Sequence, residues 1–347
     1  MRLKELATAL GLSQTTVSRA INGYPEVSEA TRARVMEAAR RHNYQPNPRA
    51  KALATGRSMA IGHVIPLSTR HEMVNPVFAD FIAGASEIYA REGYHIHMTF
   101  VSDDDEEQAY REIAAKGSVD GIIVHAPRAD DGRIGLLSSV GLPFVVHGRA
   151  TGIEETYNWV DVNNRRAFRR ATEFLIDLGH RRIALLNGLE TMEFAMRRRA
   201  GYLEALSARG LTPDPGLMLT DEMTERYGYQ GARALLSQRN PPTAFLCSSI
   251  ISAFGIRRAV DEAGLKLGRD VSVITHDDDL SYLQNGADDP IFTALRSSVR
   301  EAGRRAAEIL IGQIRAPGPP VHTLLEAEFL IGRSTAPVAQ TASAINA

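Results

Sequence analysis

The sequence predicts a small all-α unit, residues 1–46, followed by a two-lobed α/β body in which each lobe is a doubly wound parallel sheet. Three observations carry this expectation. At 347 residues the chain exceeds one ordinary core, since compact domains run to roughly 100–200 residues. Its opening stretch has only helical periodicity, broken at Gly11 and at Asn22-Gly23. Beyond Ser58, short β-rich runs alternate with amphipathic helical segments, and near-continuous apolar strands between helices mean parallel sheets covered on both faces.

The first helix is expected from Leu3 to Leu10, stopped by Gly11. The second follows Ser13, a natural N-cap, and runs to Ile21. The third opens after Ser28, with Val35, Ala38 and Ala39 as its apolar stripe and Arg40-Arg41 placing cations in its last turn. Gln45-Pro46-Asn47-Pro48 then forbids continuous helix. The linker, residues 47–57, has room for one helical turn between Arg49 and Ala54. Strands are expected at 61–65, 95–101, 121–124, 144–146, 183–186, 243–247 and 271–274. Helical patterns fall between them at 78–91, 165–178, 198–208, 231–238 and 253–263. Two lobes therefore occupy residues 58–335. The small, polar stretch 336–347 reads as a disordered tail.

Charge separates the two parts. Overall, 40 basic residues face 41 acidic ones. Residues 1–57 hold ten Lys/Arg against four Glu, so a basic segment precedes an acidic body. That asymmetry is expected where one end meets phosphates and the other does not. The lone Cys247 excludes an intrachain disulfide and a cysteine-rich metal cluster. Lys4 and Glu5 interrupt the N-terminus, so it lacks the apolar run of a signal peptide, and no stretch of about 18 apolar residues spans a membrane. The expected location is the cytoplasm, at the nucleoid. No cofactor is implied.

Gln14, Thr15, Ser18 and Arg19 share one face of the second helix, while Val17, Ala20 and Ile21 cover another. In a helix-turn-helix, this second helix enters the DNA major groove. Arg19 can bond bidentately to guanine, Gln14 can bond adenine, and the Thr15 methyl can touch thymine. Ser13, Thr16 and the basic residues of the third helix suit phosphates, which position without specifying sequence. The alternative is an ordinary amphipathic subdomain with a solvated face.

Val17-Ser18-Arg19 with Asn22, then Val27-Ser28 with Thr31-Arg32, then Asn43-Tyr44, Pro46-Asn47, Ala50 and Leu53-Ala54 together resemble the lactose-repressor (LacI/GalR) family. The likeness runs nearly to Gly332-Arg333-Ser334-Thr335 and extends more loosely to repressors of α-glucoside operons. It implies a DNA-binding helix-turn-helix domain and a periplasmic-binding-protein-like effector domain. Residues 47–55, with Asn47 and Ala50, become a hinge helix that folds on DNA. Leu53 wedges between base steps, unstacking and kinking the duplex; the alternative is an ordinary linker leucine. Further implications are a homodimer on a pseudo-palindromic operator and a small sugar effector that releases the protein from DNA. Co-repression would use the same parts with opposite sign. The family's tetramers carry a C-terminal leucine heptad, whereas residues 336–347 contain no leucine.

A ligand cleft between α/β lobes lies at the carboxyl ends of the strands. His125, His147, Arg149, Ser248, Ser249 and Asp277 all follow predicted strands. The resemblance assigns ligand binding to Arg198, ahead of Gly201-Tyr202, and to Asp277, in Thr275-His276-Asp277-Asp278. A guanidinium that donates two hydrogen bonds and a carboxylate that accepts two suit vicinal hydroxyls. Ser249-Ile250 stands where the family commonly has Asn-Asp, and Thr275 where it has Gly, so the ligand set departs from the usual one. His125, His147 and His276 could instead be hydrogen-bonded interior histidines. Trp159 reads as core rather than as a stacking platform, and the acidic run 103–107 as a solvated loop or helix start. Asp277-Asp278-Asp279 lacks the spacing of a calcium loop. The sequence contains no Gly-x-Ser-x-Gly, Gly-x-x-x-x-Gly-Lys or His-Glu-x-x-His, so no enzyme is expected. A periplasmic sugar-binding protein would share the body but not the basic N-terminal unit.

Overall fold

The computed structural model describes residues 2–44, 56–66, 75–102, 105–154 and 156–338. The expected hinge, with Asn47, Ala50 and Leu53, lies outside the described residues, as do Asp103, Asp104 and the tail from residue 339. The chain divides into two compact units, Met1–Met59 and Ala60–Ala347.

The first unit holds α1 (Leu3–Leu10), α2 (Gln14–Ile21) and α3 (Glu29–Arg41). Gly11 ends α1 in the left-handed conformation, at φ 63°, which glycine adopts without steric cost. Ser13 caps α2, its Oγ accepting from Thr16 N at 3.0 Å. Leu6, Ala7, Val17, Ala20, Val27, Val35 and Ala39 are buried together. This is the apolar half of each helix read from the sequence.

The second unit holds two sheets. In the first lobe β1 (Ala60–Pro66), β2 (His95–Val101), β3 (Gly121–His125), β4 (Phe144–His147), β5 (Asn158–Val162) and β11 (His322–Leu325) lie in the order β11-β5-β4-β3-β1-β2. In the second, β6 (Ile183–Asn187), β7 (Met218–Thr220), β8 (Ala244–Cys247), β9 (Ser272–Asp277), β10 (Thr293–Arg296) and β12 (Glu328–Leu330) lie in the order β12-β10-β9-β8-β6-β7. Every described pairing is parallel except β10 with β12. Each lobe therefore repeats a 2-1-3-4-5 strand order and adds one late strand. The chain passes between lobes after β5, after β10 and after β11.

Helices α4 (Pro76–Glu92), α5 (Glu106–Lys116), α6 (Gly132–Ser139) and α11 (Val299–Arg315) pack in the first lobe, and α7 (Asn164–Asp177), α8 (Glu193–Ala208), α9 (Glu225–Leu236) and α10 (Ile250–Glu262) in the second. Glycines set how closely these helices cross. A Cβ on Gly84 of α4 would collide with the Arg300 carbonyl of α11, and one on Gly303 of α11 with the Phe81 carbonyl of α4. The Gly228 and Gly255 pair does the same for α9 and α10. Gly303→Ala is accordingly expected to cost about 1–3 kcal/mol, the usual range for overpacking. Urea unfolding at neutral pH checks this, and an unchanged midpoint would refute it.

Residues 336–338, expected in a disordered tail, are tied to the second lobe. Ala336 N donates to Ser272 Oγ (3.1 Å) and Val338 N to the Leu178 carbonyl (3.0 Å), while the Ala336 carbonyl accepts from His180 Nε2 (3.2 Å). Their small side chains gave no apolar signal, and backbone pairing holds them instead.

Candidate effector cavity and recognition helix

At the carboxyl ends of both sheets lies a cavity of about 360 Å³. A parallel sheet places its strand-end loops there, with helix N-termini facing the opening. From the first lobe come Phe78 and Phe81 of α4, His125 at the end of β3, His147 at the end of β4 and Asp161 of β5. From the second come Asn164, Phe194, Arg198, Ser249, His276 and Asp278.

Arg198 is 5% exposed and held from three sides. Its Nε donates to Asn164 Oδ1 at 2.7 Å and its Nη1 to the Ser248 carbonyl at 2.6 Å. The guanidinium lies over the Phe168 and Phe194 rings, 5.1 and 5.0 Å from their centroids. Burial brings its pKa down to about 10, so it stays charged at neutral pH. Asp278 counters it: burial works against its carboxylate, but His276, Arg198 and His147 outweigh burial and hold the group below the ordinary range. A fixed cation and a fixed anion thus face one cavity.

The first-lobe wall is aromatic. The His147 ring stacks on Phe81 with centroids 4.3 Å apart, and His125 meets Phe78 and Phe81 edge-on at 5.1 and 4.9 Å. Behind His125, its Nε2 lies 3.0 Å from His63 Nδ1, and His63 Nε2 lies 3.2 Å from the Tyr89 hydroxyl. Burial pulls His63 to about 3 and His147 to about 4, and burial aided by its neighbours holds His125 well below its ordinary value. All three imidazoles are neutral at physiological pH.

His125, His147, Arg198 and Ser249 line the cavity as expected of ligand residues. Ser249 also caps α10, its Oγ accepting from Ile251 N at 3.2 Å. Asp277 and Arg149 do not line it. Successive residues of a strand point to opposite sides, so at the end of β9 His276 and Asp278 turn to the cavity while Asp277 turns away. Asp277 instead borders a smaller cavity of about 170 Å³ beside Asn285 and Arg296. Its Oδ1 accepts from Asp279 N at 3.0 Å, and burial pushes its carboxyl up to about 6. Arg149 is turned to Asp161, donating Nε to Oδ2 at 2.7 Å, and sits 4.9 Å over the Trp159 ring. The ion pair joins it to Asp161, which does line the cavity. Trp159 is partly buried and packs against the first-lobe core.

Asp161 and Asn164 were missed because β5 was not recognised. Its alternating Asn-Trp-Val-Asp-Val was the available signal. Among the described residues no group of His, Cys, Asp and Glu could hold a metal ion.

On the smaller unit, Gln14, Thr15 and Arg19 are exposed on α2, opposite buried Val17 and Ala20. Ser18 and Asn22 are coupled, Asn22 Nδ2 donating to the Ser18 carbonyl at 2.9 Å. Ser13 Oγ and Thr16 Oγ1 are 2.8 Å apart. Arg32 and Arg34 brace the neighbouring chain, donating to the carbonyls of Tyr24 (2.9 Å) and Leu10 (3.2 Å). No helix among the described residues is long and apolar enough to cross a membrane.

Comparison with known proteins agrees with this geometry. Residues 2–47 match the family described as bacterial regulatory proteins, lacI family, and residues 172–335 a periplasmic binding protein-like domain. The HTH-type transcriptional regulator AglR of Rhizobium meliloti (strain 1021) is 45% identical over 97% of this chain and 95% of its own. A solved complex of the transcriptional regulator CelR with cellobiose is 28% identical, covering 96% of this chain and 99% of that one with a TM-score of 0.70. The lac repressor dimer bound to operator and an anti-inducer is 24% identical, covers 97% and 99% of the two chains and superposes with a TM-score of 0.82, a likeness of fold.

Proposed function

The chain belongs to the lacI family of bacterial regulatory proteins, and from that premise we propose that it represses a carbohydrate-utilisation operon and leaves its operator when an α-glucoside enters the cavity. It is a DNA-binding transcriptional regulator and not an enzyme. The observation that carries the sugar reading is the convergence of buried Arg198 and Asp278 on one cavity, a paired donor and acceptor for vicinal hydroxyls. His125, His147 and Ser249 complete the set, with Asp278 taking the role that the resemblance gave to Asp277. The cellobiose held by the CelR structure supports a saccharide larger than one ring.

Residues 1–46 read DNA through Gln14, Thr15, Ser18 and Arg19, with Ser13, Thr16 and Asn22 supporting the helix and its phosphate contacts. We read residues 47–57 as the hinge, with Asn47, Ala50 and Leu53 as DNA-binding residues and Leu53 as the minor-groove wedge. Residues 58–335 sense the sugar and dimerise, so that two copies meet a pseudo-palindromic operator. The protein works in the cytoplasm, on the nucleoid. Ligand closes the lobes and repacks the dimer-facing surface, and the hinge segments no longer dock together. The coupling required is about 1–3 kcal/mol.

Arg19→Ala tests the DNA half. A bidentate arginine–guanine contact gives about 1–3 kcal/mol of base selectivity, so operator preference over random DNA is expected to fall by about one to two orders of magnitude in a competition gel shift. Sugar binding should stay unchanged. Surviving preference would reduce Arg19 to a phosphate contact.

A further inference from the structure

His276 lines the cavity from the end of β9 and is 2% exposed. Its Nε2 lies 3.2 Å from Asp278 Oδ1. Its Nδ1 is buried and has no hydrogen-bond partner among the described residues. Buried polar atoms are nearly always paired, so an orphan of this kind needs a reason. The chemistry of the pair fixes what is missing. An ionised carboxylate only accepts, so the proton between the two groups sits on Nε2. Burial and Arg198 keep the ring neutral, which leaves Nδ1 with a bare lone pair. Arg198 spends Nε and Nη1 on Asn164 and Ser248, and Asp278 Oδ2 makes no hydrogen bond among the described residues. The pair therefore offers two acceptors, one imidazole nitrogen and one carboxylate oxygen, and asks for two donors.

We propose that His276 is a specificity-determining residue: its Nδ1 accepts the proton of one ring hydroxyl of a neutral saccharide while Asp278 Oδ2 accepts that of the adjacent hydroxyl. The inference rests on reading the cavity as a saccharide site. It selects ligands by the protons they donate, so an acceptor-only group at either position, such as fluorine, is rejected although its size fits.

The test uses the full chain and two independent readings. The first needs no ligand. Phe also withdraws the Nε2 donor from Asp278, so the comparison is made with that carboxylate removed. Replacing an orphaned acceptor by an apolar ring of similar shape relieves an unpaired group, and the double variant His276→Phe/Asp278→Leu should unfold at the same temperature as Asp278→Leu or higher. A fall of several degrees would mean that Nδ1 has a structural partner and would overturn the proposal. The second reading is calorimetric titration with maltose, sucrose, trehalose, methyl α-D-glucopyranoside and the monodeoxyfluoro derivatives of the last. In wild type one or two derivatives should lose about tenfold or more in affinity, the scale of one lost hydrogen bond. In His276→Phe the parent glucoside should fall to the level of its weakest derivative. His276→Gln, which keeps both a donor for Asp278 and an acceptor, should recover part of the affinity. Equal losses for every derivative, unchanged between wild type and His276→Phe, would overturn the proposal. If wild type binds none of these sugars, the α-glucoside reading falls, and the unfolding comparison alone decides whether His276 is the orphan described.

Discussion

Arg198→Ala is expected to give a repressor that holds its operator as wild type does and no longer releases it at effector concentrations that empty the wild-type complex. Losing a charged partner of a buried hydroxyl costs about 1.5–3 kcal/mol, or roughly 10- to 150-fold in affinity. Two further groups are stranded, since Asn164 Oδ1 and the Ser248 carbonyl lose their donor. Arg198→Lys should recover little, because an ammonium cannot copy the planar fork that serves both acceptors. Asp278→Asn should shift the release curve in the same direction, whereas Asp277→Asn, which faces the smaller cavity, should not. The measurement is operator occupancy against saccharide concentration for the four variants. Curves that coincide with wild type for Arg198→Ala and Asp278→Asn would place the ligand elsewhere.

The second large effect is acid sensitivity of the effector lobes. His63, His125 and His147 all titrate well below the ordinary histidine value when folded. In the unfolded chain they take protons near pH 6.5, so as pH falls from 6.5 the unfolded state binds more protons and folding stability drops. At about 1.4 kcal/mol per tenfold change in proton affinity, the loss by pH 4.5 is roughly 2–3 kcal/mol for each of His63 and His147, and His125 acts in the same direction. Asp277 works in the opposite sense. Its folded pKa is raised to about 6, so the folded state gains a proton first and offsets about 2 kcal/mol by pH 4.5. The net loss remains a large share of the 5–15 kcal/mol by which domains are usually stable. Denaturant titrations from pH 8 to 4.5, followed by the single tryptophan packed against the first-lobe core, should show it. His147→Phe should flatten the slope. A stability flat across that range would contradict neutral burial of the three rings.

The helical unit and both sheets were legible because their signals are local. Gly11, Ser13 and Ser28 mark helix ends, and the runs of β1, β3, β6 and β8 are too apolar for anything but a covered sheet. The short strands β7, β10, β11 and β12 were not legible, since only three or four residues each add to an existing edge. In the cavity, Arg198 could be assigned because one motif marks it. The choice between Asp277 and Asp278 could not. Three consecutive aspartates carry no sign of which one the strand's pleat turns inward, and one residue of register exchanges the two faces. The orientation of Arg149 was not legible for another reason: its ion-pair partner, Asp161, lies on β5, whose short alternation was not recognised as a strand.

The lobes are continuous in space but not along the chain, and synthesis must respect that. The first helical unit is complete by residue 44, and its three buried stripes need nothing downstream. The first lobe begins at Ala60 but lacks its covering helix α11 until residue 315 and its edge strand β11 until residue 325. At roughly 5–20 residues per second, a ribosome delivers a DNA-binding headpiece some 15–55 seconds before either effector lobe can close. During that interval the β1 to β5 sheet has an open edge and an uncovered apolar face, the kind of nascent surface that chaperones hold. It also follows that a premature stop anywhere before residue 325 removes part of both lobes, because β11 closes the first sheet and β12 the second.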